Sequence, residues 1–178
     1  MDDAHPDTAF LLRGLAEGFR LTSLDPSTVP PAELENYKSA TNEHNFSKVE
    51  KQIIAEVRAG RYQVSVEKSK LISALGAVPQ KDSADVRIIH DCSRPAGFAV
   101  NDYAAPSEKQ SFQTLDDALA LIKPGYFMAK INLKQAYRSV RVHPAEYDVL
   151  GLKWSFSSNS EKSFTYMHDT RLPFGAKL

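Results

Sequence analysis

The sequence is poor in cysteine and in long apolar runs, and each shortage excludes a class of protein. Its 178 residues include one cysteine, Cys92, which rules out an internal disulfide and a zinc site built from several cysteines. No run approaches the roughly 20 apolar residues of a membrane-spanning helix. The acidic Asp2 and Asp3 after Met1 are unlike the basic start of a signal peptide. We therefore expect an intracellular protein, cytoplasmic or nuclear, that does not bind membranes.

Acidic residues are absent from one long internal stretch. Between Ala118 and Ala145 there is no Asp or Glu, although the whole chain has a net charge of zero. A local basic excess is typical of a surface that binds a phosphate backbone. Charge alone favours the alternative, a solvated basic face without a ligand. The basic residues of the stretch are Lys123, Lys130, Lys134, Arg138 and Arg141.

The first 60 residues carry helical signals. Apolar residues at helical spacing predict an amphipathic helix within residues 1–22. Pro31 is suited to the first position of a short second helix. Ser47 begins a capping-box pattern that predicts the start of a third helix, which ends at Gly60. We interpret residues 1–60 as an N-terminal helical extension.

From Arg61 onward the pattern changes to short apolar runs separated by turns, which predicts an α+β protein. Residues 75–79 and 86–90 flank a polar run and are expected to form a hairpin with a charged tip. Thr114 and Asp117 form a second capping box, followed by a helix that Pro124 and Gly125 stop. The apolar run from Phe127 is expected to form a buried strand that ends on the polar Asn132.

Several short motifs follow one another in a distinctive order. They are Val86–Pro95 (VRIIHDCSRP), Val100–Asp102 (VND), the capped helix, Lys130–Val140 (KINLKQAYRSV), a hairpin, and Leu172–Gly175 (LPFG). Together they closely resemble the front part of a retroelement reverse transcriptase, an RNA-directed DNA polymerase. The sequence is most similar to the tyrosine-recombinase (DIRS-like) retrotransposons. The resemblance depends on the order and spacing of the motifs, since no single motif is specific enough.

The resemblance implies a right-hand polymerase of which only part is present. Residues from about 61 to 107 and from 140 to 178 would form the fingers, and residues from about 108 to 139 an incomplete palm. The nucleotide-binding positions would be Lys81, Arg87, Gln135, Ala136, Tyr137, Phe174 and Gly175. The partner would be an RNA or DNA primer-template, contacted by Lys130, Lys134, Arg138 and Arg141.

The sequence departs from the family where catalysis is concerned. Polymerases of this class use two Mg²⁺ ions held by carboxylates, and Asn132 occupies the position of the first metal-binding Asp. A neutral amide offers an oxygen without negative charge, which weakens Mg²⁺ binding. Neither Asp91 nor Asp102 is expected to substitute for the carboxylate missing at Asn132, and the family's aromatic-x-Asp-Asp hairpin is absent from the sequence. We therefore expect no metal site, no cofactor and no polymerase activity from this chain alone.

Three interpretations follow. The first is a truncated, inactive reverse transcriptase-like protein. The second is a non-catalytic nucleic-acid-binding or regulatory module retained from a retroelement. The third is a relic without a selected function. Strands that would pair with the remainder of a palm would have open edges, which predicts self-association.

Overall fold

The computed structural model describes residues 7–23, 25–81, 83–104, 113–158 and 163–177. The α-helices are α1 (Thr8–Glu17), α2 (Lys38–Thr41), α3 (Glu43–Arg58), α4 (Leu115–Leu121) and α5 (Ala136–Ser139). The strands are β1 (Ala32–Glu33), β2 (Tyr62–Val64), β3 (Leu71–Ile72), β4 (Leu75–Pro79), β5 (Val86–His90), β6 (Gly151–Trp154) and β7 (Thr165–Asp169). Single turns of 3₁₀ helix cover Pro26–Thr28 and Val100–Asp102, and a longer one covers Pro144–Val149. Among the described residues no helix is long and apolar enough to cross a membrane.

The strands form one mixed sheet and one separate hairpin. The sheet has the order β1-β3-β6-β7-β2, in which β1, β3 and β6 are parallel and β7 and β2 pair antiparallel. Strand β6 passes close to β3 at Gly151, where a β-carbon would lie 2.6 Å from the carbonyl oxygen of Leu71. Glycine is therefore required at this crossing. Strands β4 and β5 form the hairpin, with Ala77 opposite Ile88.

Helix α3 connects the sheet with the hairpin. Its buried residues Val49 and Ile53 share a core with Leu75 of the hairpin and Trp154 of the sheet. The ring of Trp154 also lies 5.1 Å from the ring of Phe46 in α3. Residues on both sides of position 60 thus contribute to the same core, and burial of these side chains stabilises the two segments together. A second core cluster lies at the other end of the sheet around Leu71, Cys92, Val142, Leu150 and Leu172.

The structure confirms several local predictions. The β4–β5 hairpin has the predicted bounds, and Thr114 and Asp117 form the predicted capping box at the start of α4. A helix does occupy Thr8–Glu17 within the predicted range. These elements depend on short-range signals, such as cap side chains and alternation of apolar residues, that the sequence shows directly.

Two predicted helix starts were wrong. Helix α3 begins at Glu43 because the side chain of Asn42 accepts a hydrogen bond from the Asn45 amide at 2.8 Å, so Ser47 lies inside the helix. The segment after Pro31 is strand β1 instead of a helix. Its Ala32 amide donates to a carbonyl on the β3 side, that of Lys70, at 2.9 Å. Pairing with a strand almost 40 residues away outweighs the local preference for a helix at proline.

The predicted buried strand from Phe127 was also wrong. Residues 127–132 have no strand structure, Phe127 is fully exposed and Ile131 is 86% exposed. No described strand lies alongside them, so their backbone groups have no ladder to join. Helix α4 before them likewise leaves Leu115 and Leu121 exposed. We call residues 126–133 the apolar segment.

A buried lysine joins the sheet to the N-terminal strand. The Lys153 side chain in β6 is only 2% exposed, and its ammonium group lies 2.8 Å from Oε1 of Glu33. It also pairs with Glu35 and lies 4.4 Å from the ring centroid of Phe164. Lys68 forms a further ion pair with Glu33. A buried ammonium needs such partners because desolvation disfavours an isolated charge.

The Glu33 carboxylate generates a pH-dependent prediction. Burial disfavours its ionisation, but hydrogen bonds from Lys153 and Lys68 outweigh burial and lower the pKa of Glu33 from 4.5 to about 2. A carboxyl whose pKa is lowered by folding stabilises the protein above its unfolded pKa, and this contribution is lost as the pH falls towards the folded pKa. We expect Glu33→Gln to lower the free energy of unfolding by about 1–3 kcal/mol at neutral pH.

The difference between Glu33→Gln and wild type should shrink as the pH falls from 4.5 towards 2. Urea unfolding of both proteins at neutral pH and across that acidic range measures it. A difference that does not change with pH would contradict the prediction.

The apolar segment generates a prediction about self-association. Contiguous exposed apolar surface favours association in water, and Phe127 and Ile131 are its most exposed members. We expect the wild-type chain to associate as its concentration rises, and Phe127→Ser/Ile131→Ser to remain monomeric to a concentration about tenfold higher. Size-exclusion chromatography with light scattering measures this.

A suitable control is Val66→Ser, which removes one fully exposed apolar side chain outside the apolar segment. This control should associate like the wild type. Equal association of the double variant and the wild type would show that the apolar segment does not drive the process.

Candidate functional site

Three of the predicted nucleotide-binding side chains meet on one surface. The guanidinium carbon of Arg87 in β5 lies 4.8 Å from the ring centroid of Phe174. The ring of Tyr137 in α5 lies 5.1 Å from that of Phe174, at an interplanar angle of 51°. Arg87 is exposed and Tyr137 is 44% exposed. We call this group the Arg–Phe–Tyr cluster.

The backbone around Phe174 is fixed by two other motifs. The His90 amide donates to the Phe174 carbonyl at 3.2 Å, which attaches the segment to the end of β5. Gly175 has a φ of 124°, and a β-carbon there would collide with the His90 carbonyl. The Asn101 side chain donates to the Gly175 carbonyl at 2.8 Å and accepts from the Lys177 amide at 2.7 Å.

Asn101 is therefore a structural residue of the site that sequence reasoning missed. In the sequence, its motif Val100–Asp102 contributes only its place in the order of motifs. The hydrogen bonds show what the amide does, since one Asn side chain can donate and accept at once. In the sequence Asn101 lies between Val100 and Asp102, and nothing local indicated that its partner lies more than 70 residues away.

Gln135 and Ala136 lie beside Tyr137 at the start of α5. Gln135 has a left-handed backbone, with a φ of 53°, and Arg61 donates to its side-chain oxygen at 3.4 Å. Ala136 is the first residue of the four-residue helix. Lys81 is exposed in the turn between β4 and β5, on the same hairpin as Arg87. The structure thus brings Arg87 and Tyr137 into contact with Phe174. Lys81 lies on the same hairpin as Arg87, and Gln135 and Ala136 lie beside Tyr137.

Arg138 is placed differently from the prediction. Its side chain is 10% exposed, and its guanidinium lies 2.6 Å from both Glu56 and Asp169. It also lies over the ring of Tyr62, 5.2 Å from the centroid. Burial opposes the charge, but the carboxylate of Asp169 outweighs it and raises the pKa of Arg138. The guanidinium is occupied by internal carboxylates, so we do not retain Arg138 in a nucleic-acid-binding surface.

The remaining basic residues of the acid-free stretch are exposed. Lys130 and Lys134 flank Asn132 in the irregular backbone before α5. Arg141 follows α5, and its carbonyl accepts from the Phe19 amide at 2.8 Å. These three side chains are exposed, whereas that of Arg138 is largely buried.

The position of Asn132 does not fit a two-metal site. Asn132 is exposed and lies in irregular backbone. Asp91 accepts hydrogen bonds from the Tyr37 hydroxyl and, at 3.0 Å, from the Ser93 amide. Asp102 accepts from the Ala99 amide at 3.0 Å. In the part of the chain that the structure describes, no group of three His, Cys, Asp or Glu side chains could hold a metal ion. The donor set does not match two Mg²⁺ ions.

Solved structures show what this arrangement of elements is similar to. A foamy viral protease-reverse transcriptase in complex with double-stranded DNA aligns with a TM-score of 0.53 and 15% identity, over 88% of this chain and 25% of that chain. A prototype foamy virus protease-reverse transcriptase mutant, labelled with selenomethionine, aligns with a TM-score of 0.62 and 18% identity, over 89% of this chain and 18% of that chain. This chain has a reverse transcriptase-like fold.

The fold prediction is thereby confirmed. No protein-family model and no curated protein matches the sequence. The evidence for the reverse transcriptase-like fold is therefore three-dimensional similarity to solved structures at low sequence identity. The chain spans a quarter or less of the two viral proteins. Because one fold hosts many functions, the activity of those proteins is not transferred by this similarity.

The internal position of Arg138 generates a prediction about stability. Removing one partner of a buried ion pair leaves an uncompensated charge, which costs about 3–5 kcal/mol. We expect Arg138→Ala to lower the free energy of unfolding by about this amount, because Asp169 and Glu56 lose their partner. Arg141→Ala is the control, since a substitution at an exposed position changes stability by about 0.5 kcal/mol or less. Urea unfolding of the two variants measures the difference, and equal midpoints would refute the prediction.

Proposed function

We propose that this chain is the fingers and first palm segment of a reverse transcriptase-like protein of the DIRS-like retrotransposon type. It binds nucleotide and primer-template and does not catalyse nucleotidyl transfer alone. The observation that carries the proposal is the Arg–Phe–Tyr cluster. Its three side chains come from motifs up to 87 positions apart. These motifs belong to the ordered series on which the resemblance to reverse transcriptases depends.

The chemistry of the cluster suits a nucleoside triphosphate. The guanidinium of Arg87 offers a planar fork of donors to phosphate oxygens. Lys81, on the same hairpin, adds a mobile positive charge. The rings of Tyr137 and Phe174 provide apolar faces for a sugar or a base, and stacking on such faces is worth about 1–3 kcal/mol per base. Gln135, Ala136 and Gly175 supply the backbone beside these rings.

A primer-template is the proposed macromolecular partner. Lys130, Lys134 and Arg141 are exposed on a stretch without acidic residues, and phosphate contacts by such residues supply sequence-independent affinity. One of the similar solved structures contains double-stranded DNA. That similarity supports a nucleic acid as the partner of this chain.

The absence of catalysis is part of the proposal. Two-metal catalysis needs carboxylates to hold the ions, and the position expected for the first one is occupied by Asn132, a neutral amide. Asp91 and Asp102 accept hydrogen bonds from nearby backbone amides, and Asp169 pairs with Arg138. Asn132 is the specific observation that favours the second interpretation, a binding module retained without chemistry.

Anisotropy of a labelled RNA–DNA primer-template across a salt series tests the proposal. We expect saturable binding that weakens steeply with salt. Lys130→Ala/Lys134→Ala should weaken binding and reduce the slope of log affinity against log salt by about one for each phosphate that is no longer neutralised. Lys38→Ala/Lys51→Ala removes two exposed lysines from α2 and α3 and serves as the charge-matched control. Equal effects of the two double variants would contradict a specific basic surface.

Two further arms complete this experiment. A fluorescent deoxynucleoside triphosphate should bind the wild type and bind Arg87→Ala at least about tenfold more weakly. Primer extension with Mg²⁺ should give no product. Extension that Tyr137→Ala abolishes would refute the non-catalytic proposal. A folded, monodisperse chain that binds neither ligand would favour the relic interpretation.

A further inference from the structure

A largely buried group of charges adjoins the Arg–Phe–Tyr cluster, since Arg138 follows Tyr137 in α5. Arg138 of α5 lies 2.6 Å from Glu56 of α3 and 2.6 Å from Asp169 of β7. Glu56 also pairs with Arg61 at 2.8 Å. Asp169 is completely buried. Two cations therefore face two anions where α3, α5 and β7 meet.

Stability alone is a weak explanation for this arrangement. A buried ion pair is often no more stabilising than apolar side chains of equal volume, because desolvating the charges is costly. The N–H donors of a guanidinium lie in one plane at fixed angles. Hydrogen bonds to two carboxylates therefore fix the orientation of the arginine side chain. Such a group therefore suits a position where geometry matters more than stability.

Arg138 contacts both segments that carry the aromatic rings. It follows Tyr137 in a helix of four residues, which is too short to be stable by itself. Its Nη1 also donates to the Leu172 carbonyl at 3.3 Å, two residues before Phe174. The Leu172 amide in turn donates to the Val140 carbonyl at 3.0 Å, so the segment after α5 and the segment before Phe174 are also joined by a backbone hydrogen bond.

Asp169 connects the same group of charges to Phe174 through His90. The His90 side chain is 2% exposed, and its Nδ1 lies 3.9 Å from the Asp169 carboxylate. The backbone amide of His90 donates to the Phe174 carbonyl. The carboxylate that holds Arg138 thus also lies beside the residue that fixes Phe174.

We propose that Arg138 is a positioning residue, and that Glu56 and Asp169 orient its guanidinium so that the rings of Tyr137 and Phe174 keep the geometry in which they contact a nucleotide. Arg138 itself does not touch the nucleotide. The inference rests on the proposed function for its nucleotide, but the positioning of Tyr137 is measurable without any ligand.

The test uses ¹⁹F NMR of the full chain labelled with 3-fluorotyrosine. The sequence has seven tyrosines, and Tyr137→Phe identifies the resonance of Tyr137 by its loss. Arg138→Lys keeps the charge and loses the fork, so it cannot reach Glu56, Asp169 and the Leu172 carbonyl together. We expect the Tyr137 resonance to shift or broaden, and the affinity for a fluorescent deoxynucleoside triphosphate to fall about tenfold.

A second variant covers the case in which Arg138→Lys does not fold. Glu56→Gln keeps the shape and one acceptor of the side chain, leaves the Arg138–Asp169 pair intact, and should shift the Tyr137 resonance in the same way. The control is Glu33→Gln, which removes a carboxylate from the Lys153 group on the far strand of the sheet. The control should leave both the Tyr137 resonance and nucleotide affinity as in the wild type.

Each outcome has a defined meaning. An unchanged Tyr137 resonance in a folded Arg138→Lys or Glu56→Gln variant overturns the positioning inference. An equal shift in Glu33→Gln overturns it as well, because any loss of stability would then move the ring. A wild type that does not bind the nucleotide refutes the proposed function, while the ligand-free resonances still decide the positioning.

Discussion

The buried guanidinium of Arg138 is the interaction on which the described structure depends most. It joins α3 through Glu56, β7 through Asp169, and the segment before Phe174 through the Leu172 carbonyl. Because these groups are largely shielded from water, loss of the guanidinium would remove the 2.6 Å ion pair of the buried Asp169 carboxylate. Helix α3, the central sheet and the segment that carries Phe174 are thereby joined by one side chain.

The same guanidinium adjoins the Arg–Phe–Tyr cluster, because Arg138 follows Tyr137 in α5 and donates to the Leu172 carbonyl near Phe174. The Arg–Phe–Tyr cluster has the planar donors and apolar faces that recognise phosphate and nucleoside. Nucleotidyl transfer needs closely spaced carboxylates in addition, and among the described residues Asn132, Asp91 and Asp102 do not provide such a group. The chain therefore has a reverse transcriptase-like fold, and binding without catalysis is the function that we propose for the cluster.

The same fold leaves much apolar surface uncovered. The apolar segment and the outer faces of α1 and α4 are exposed, while the two buried clusters lie around α3, the hairpin and the sheet. Apolar side chains of the sheet and hairpin are largely buried, whereas those of Tyr126, Phe127, Met128, Ile131 and Leu133 are 60% or more exposed. The hydrophobic effect acts on both kinds of surface equally, so the uncovered part is the natural origin of self-association.

Short-range chemistry allowed the sequence alone to predict the β4–β5 hairpin and the Thr114 cap. The resemblance to reverse transcriptases implied the fold and the positions Arg87, Tyr137 and Phe174, although not that Arg87 and Tyr137 both contact Phe174. Only the tertiary structure decided the rest. Arg138 looked like a surface cation because its carboxylate partners lie 31 and 82 positions away. The run from Phe127 looked like a strand because apolar content does not reveal whether a neighbouring strand exists. Contacts between distant residues have no local signature, and those contacts determine burial, pairing and charge compensation.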